Sequence, residues 1–126
     1  MSYEVVKRWF DRLPEAERDL PLLHVGQAYF TPRQVLFEVS RGSPLGAQLQ
    51  QMVESGRFGT PIEQLAEIRL EELIKRGYPY KIATLSGKVL TPEELLQEIK
   101  RKTPLGRQLI QAEIKQMQRL LALARR

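Results

Sequence analysis

The residues best equipped for chemistry lie in the last fifth of the chain. Lys100, Arg101 and Lys102 stand in a row, and Arg107, Gln108, Gln111, Lys115 and Arg119 follow at spacings of one to four. Ammonium and guanidinium groups neutralise phosphates, while arginine and glutamine hydrogen-bond base edges in a major groove. This is the chemistry of nucleic-acid contact. From Lys100 to Arg126 the chain carries eight basic residues against the single acid Glu113, a charge of +7. The whole chain is +5, so residues 1–99 sum to −2. A near-neutral body with a basic end points to a polyanionic partner. A solvated helix face that keeps the chain soluble accounts for the same charge.

Other chemistry is poorly supplied. The one histidine, His24, stands in an apolar stretch (LLHVG), and no nucleophile is visibly paired with it. The chain has no cysteine and no clustered acids, so a transition-metal site is not expected. The paired acids Glu71-Glu72 and Glu93-Glu94 suit helix surfaces and first turns, where carboxylates favour the macrodipole. Neither GxGxxG nor GxxxxGK[ST] occurs. The expectation is a non-enzymatic protein without a cofactor.

These residues need a helix to position them. On a helical wheel the segment from Pro104 places Gln108, Gln111, Lys115 and Arg119 on one face, with Arg107 at its margin. Ile110, Ile114, Met117, Leu121 and Ala124 fall on the other side, with alternating spacings of four and three as in a coiled-coil seam, and Leu109, Leu120 and Leu123 widen it. Ile110, Ile114, Met117, Leu120, Leu121 and Leu123 are the expected self-association residues. This apolar face invites self-association, since its last turns exceed any counterpart earlier in the chain. The first expectation is therefore a protein–protein interaction or adaptor protein that forms a homodimer through this helix. The alternative is a nucleic-acid-binding regulatory protein. Two helices joined by a tight corner resemble a helix-turn-helix in outline, with Lys100–Lys102 before the second helix. A basic amphipathic helix on an anionic membrane ranks last, because no bulky aromatic anchors its apolar face.

The helix belongs to a repeat. A shift of 60 residues aligns Thr31–Gln51 with Thr91–Gln111 without a gap, and 11 of the 21 positions are identical. That density indicates an internal duplication. Five of the eight prolines follow Ser or Thr, at Thr31, Ser43, Thr60, Thr91 and Thr103. A hydroxyl N-cap followed by proline starts a helix, because the proline's missing N–H has no partner to lose. Gln34, Glu63 and Glu94 stand three residues after a cap, at capping-box spacing. Gly46 and Gly106 recur one turn inside the second helix, which suggests close helix–helix approach at both corners. Upstream, LLHVGQAYF (22–30) and YKIATLSGKVL (80–90) read as short hairpins. Helices over roughly 3–13 and 61–76 lead each copy, and PEAERDLP (14–21) adds a helical turn to the first.

The expected fold is mainly α, of α+β type. It is a tandem duplication of an α–ββ–α–α unit about a pseudo-twofold axis, with short β-hairpins and a longer C-terminal helix. The expected organisation is one domain of two repeats, about 1–56 and 60–116, with a helical extension over 117–126. Hydrophobic residues at 42% and charged residues at 28% are ordinary globular composition. No apolar run approaches the ~20 residues that cross a bilayer, and MSYEVVKRWFDRL lacks the pattern of a signal peptide. The cytoplasm is the default compartment.

Overall fold

The computed structural model describes residues 2–77 and 87–125. The chain opens with helix α1 (Ser2–Arg12) and a 3₁₀ turn (Glu15–Glu17). Strands β1 (Leu23–Val25) and β2 (Ala28–Phe30) follow, then helices α2 (Pro32–Ser40) and α3 (Pro44–Ser55). The second half has α4 (Ile62–Lys75), α5 (Pro92–Lys100) and α6 (Pro104–Ala122), closed by a 3₁₀ turn over Leu123–Arg125. The chain is thus mainly helical, with one small antiparallel hairpin among the described residues. The expected second hairpin, at 80–90, lies mostly outside the described residues.

Local chemistry sets the helix starts. Thr31 and Thr91 accept the N–H groups of Gln34 and Glu94, and those side chains accept the N–H of their threonine in return. Two orphan donors are satisfied at each start. The Glu94 carboxyl is lowered to about 2, first by the Lys88 ammonium at 2.8 Å and then by the Thr91 N–H. Helix α4 departs from expectation. It begins one residue late, with Pro61 as N-cap and no side-chain cap, so the Thr60–Glu63 box is not made.

The two helix corners share their geometry. Ser43 accepts from Gly46 N–H at 2.9 Å and donates to the Glu38 carboxylate at 2.9 Å. Thr103 accepts from Gly106 N–H at 3.1 Å and donates to the Glu98 carboxylate at 2.8 Å. A Cβ on Gly46 would sit 2.3 Å from the Glu38 carbonyl oxygen, and one on Gly106 would sit 2.0 Å from that of Glu98. Only glycine permits these approaches, so each corner is locked by the same contact. The position after each C-cap is left-handed: Gly42 at φ 68° and Lys102 at φ 51°.

One continuous apolar core draws on both halves. It runs from Val6, Trp9 and Phe10 through Val35, Leu49 and Val53 to Leu65, Leu70, Leu95, Ile99, Ile110, Met117 and Leu121. Strands β1 and β2 pair Leu23 with Phe30 and Val25 with Ala28 around Gly26-Gln27. Gly26 has φ 62° and Gln27 does not share the positive sign, as a type II′ turn requires. A lone hairpin is marginal in water. This one is held at its edge by His24 N–H donating to the Phe58 carbonyl at 2.8 Å.

The end of α6 corrects the expectation that its last turns lack a counterpart within the chain. Their counterpart is α1. The Trp9 indole donates to the Leu120 carbonyl at 2.8 Å, and Arg12 donates to that of Leu123 at 3.0 Å. Ile110, Ile114, Met117, Leu120 and Leu121 are buried within the single chain, and Leu123 packs half-buried against the same core. The seam assigned to self-association is covered by α4 and α5, with α1 against its last turn.

Candidate nucleic-acid interface

Helix α6 is 19 residues long, and its two sides have opposite fates. At 100° per residue, Arg107, Gln108, Gln111, Lys115, Gln118 and Arg119 fall within one third of its circumference. All six are exposed. From Arg107 to Arg119 this face runs ~18 Å along the helix axis. Lys100, Arg101 and Lys102 are also exposed, at the corner before the helix. All eight residues read from the sequence as nucleic-acid contacts are therefore on the surface, on one helix and its leading corner.

The charge of this region is set by a group that is not on the surface. Glu113, the only acid between Lys100 and Arg126, turns inward. Its carboxylate accepts from Arg69 Nε at 2.7 Å. Arg69 is itself fully buried, donates to the Pro21 carbonyl at 2.8 Å, and makes a very short contact with Glu17. The same Glu17 carboxylate accepts from Gln116 at 3.3 Å. A buried guanidinium needs partners of this kind, since an unpaired buried charge is costly. The pairing consumes the acid, so every charged side chain exposed between Lys100 and Arg125 is basic.

These bases are sparsely tied. Among the described residues, Lys100, Arg101, Lys102, Arg107 and Lys115 make no ion pair, and Arg119 donates to Gln116 at 3.1 Å. The first corner differs. There Arg41, the counterpart of Arg101, pairs with Glu38 at 3.5 Å and lies over the exposed Phe37 ring. The counterpart of Arg107 is Ala47, also exposed. Elsewhere acids and bases do pair: the Arg33 guanidinium beside Asp19 holds that carboxyl below its ordinary range.

Two features were missed from sequence. A cleft of about 280 Å³ at the end of α6 is lined by Arg12, Gln116, Arg119 and Leu123, so the basic strip meets α1 across a gap of more than 100 residues of chain. No linear signal marks that meeting. The second is the Arg69–Glu113 pair, and here a signal existed. Arg69 stands four residues from both Leu65 and Leu73, and Glu113 stands three from Ile110 and four from Met117. Opposite charges inside two apolar stripes mark partners.

His24 packs within the hairpin. Its ring lies against Tyr29, with centroids 4.5 Å apart, and its Nδ1 is 3.4 Å from the Gly59 carbonyl. Among the described residues no group of three or more His, Cys, Asp or Glu side chains could hold a metal ion. No helix among them is long and apolar enough to cross a membrane. Comparison with protein-family models, with curated proteins and with solved structures finds no match.

Proposed function

We propose that this chain is a non-enzymatic nucleic-acid-binding protein that presents α6 and the corner before it to a duplex. One observation carries the reading: Glu113 is withdrawn into the core by Arg69, which leaves the exposed charge over 100–125 uniformly basic. Lys100, Arg101, Lys102, Lys115 and Arg119 neutralise phosphates. Arg107, Gln108 and Gln111, in the first two turns of α6, reach base edges, as the leading turns of a recognition helix do. The two corners are read as copies from a tandem duplication about a pseudo-twofold axis, with only the second equipped for phosphate. Matched cap, glycine and carboxylate contacts support that reading. Fluorescence anisotropy with a labelled DNA duplex across a salt series tests it. Binding at low salt that weakens linearly in log–log form is expected. Absence of binding at low salt refutes it.

A second reading is a protein–protein interaction or adaptor role, with self-association. Its support is no longer the α6 seam. It is the exposed aromatic surface of the first half, Phe37 at 58% and Tyr3 at 42% exposure. Light scattering over a concentration series tests it, and a concentration-independent monomer excludes the homodimer.

A further inference from the structure

A second polar cleft lies far along the chain from the α6 face. It has a volume of about 390 Å³ and is walled by α3, the β1–β2 turn and the loop over 57–59. Gln48, Gln51 and Arg57 supply its donors, Val25 and Met52 its apolar floor, and His24 one wall. No carboxylate lines it. Glu54, the one acid of α3, accepts from Gln50 at 3.1 Å on the neighbouring side of the helix. The donors are uncommitted. Among the described residues, the Gln48 and Gln51 amides make no hydrogen bond, and Arg57 uses only Nε, which donates to Ser55 Oγ at 3.0 Å. Both terminal nitrogens of its guanidinium remain for a ligand.

The walls are rigid. Arg57 N–H donates to the Met52 carbonyl at 3.0 Å, and Phe58 accepts from His24 N–H at 2.8 Å. Gly59 has φ 80°, and a Cβ there would lie 2.0 Å from the His24 carbonyl oxygen. The loop is thus pinned to β1 by a contact that only glycine allows. A pre-formed cleft of this size falls within the ~300–1,000 Å³ range of small-molecule sites, with a few convergent polar groups over an apolar floor. A forked guanidinium beside two neutral amides, with no carboxylate in the lining, suits a phosphate oxyanion.

We propose that this cleft binds the phosphomonoester of a small organic ligand, with the phosphate on Arg57, Gln48 and Gln51 and the organic group against Val25 and Met52. The site does not rest on the α6 reading. Full-length protein labelled with ¹⁵N is titrated with adenosine monophosphate and, separately, with adenosine. The monophosphate is expected to shift the amide resonances of Gly26, Gln48, Gln51, Arg57 and Gly59 and to saturate near millimolar concentration, whereas adenosine leaves them in place. Arg57→Ala, at an exposed position, is expected to weaken binding about tenfold, the loss of one charge-assisted contact. A 5′-phosphorylated oligonucleotide that gives the same shifts assigns the phosphate to a strand end; shifts with the monophosphate alone assign it to a free ligand. Equal shifts with adenosine, no shift at ~10 mM monophosphate, or unchanged affinity in Arg57→Ala overturn the proposal. Arg57→Ala should leave duplex DNA binding by α6 intact, which separates the two readings.

Discussion

Replacing Arg107, Lys115 and Arg119 together with glutamine removes three charges from the α6 face and keeps its helix-forming character. All three are exposed, and none makes an ion pair among the described residues, so the fold should lose little. Surface changes of this kind usually stay within ~0.5 kcal/mol. The effect on binding can be sized. With Lys100, Arg101 and Lys102, the side chains of Lys115 and Arg119 give the native surface five bases for phosphates, while Arg107 reads a base edge. If all five engage B-DNA, the slope of log K against log salt is about −4.5, and affinity falls roughly 500-fold between 50 and 200 mM salt. The triple variant should keep a slope of about −2.7. The assay is anisotropy of a labelled duplex at five or more salt concentrations, each variant checked by circular dichroism. Arg41→Gln at the first corner is the control, because Arg41 is tied to Glu38 and lies off this face. Its slope should match the native protein. A triple variant with the native slope refutes the placement of the interface on α6. A control that loses as much as the triple variant shows a diffuse charge effect.

Two further predictions concern what holds this surface in place. Arg69→Met leaves Glu113 and Glu17 facing each other without a cation, and breaking a buried pair in this way costs ~3–5 kcal/mol. With ~2.1 cal/mol/K of unfolding entropy per residue, Tm should fall by roughly 10–20 °C in thermal unfolding. Adding Glu113→Gln should restore part of that, and a loss below ~4 °C would show the network to be dispensable. Gly106→Ala sets two effects against each other, since helix propensity alone gains about 1 kcal/mol. The Cβ would meet the Glu98 carbonyl at 2.0 Å, so net destabilisation of ~1–3 kcal/mol is expected by urea unfolding. A stabilised variant would show that the corner is not closely packed.

The parts legible in the sequence were those written in local chemistry. Thr31 and Thr91 advertise their helices through a hydroxyl, a proline and a reciprocal partner, and both boxes form. Thr60 carries the same signature and fails, because α4 starts after Pro61 without using the hydroxyl. The pattern is permissive, and tertiary placement of the chain decides whether it is used. The eight basic and amide residues of the second corner were also legible, since exposed charges on one helix face follow from periodicity. What the sequence hid was long-range. That α1 covers the end of α6 depends on Trp9 meeting the Leu120 carbonyl, a contact between residues 111 apart. An apolar stripe announces that it must be covered but does not say by what, so chain-internal burial and a dimer seam look alike in one dimension.

The two corners also show which residues the fold asks for and which it does not. Cap, carboxylate and glycine recur in both, so they answer to folding. The residue after the C-cap is left-handed in both, and there the copies part: glycine at 42, lysine at 102. An L-residue in that conformation costs ~1–2 kcal/mol. Folding alone therefore favours glycine at 102, and a lysine held against that preference is consistent with a role in binding. Lys102→Gly should relieve the strain. Glycine gives back ~0.4–1 kcal/mol through its freer unfolded state, which leaves a net gain of ~0.5–1 kcal/mol and a rise in Tm of roughly 2–4 °C. The same change should make the DNA salt slope shallower by ~0.9. A variant that is more stable and binds DNA less steeply is the trade expected where function holds a residue the backbone disfavours. If Lys102→Gly is more stable and binds as before, the lysine is neutral history, and Lys102 has no part in the contact.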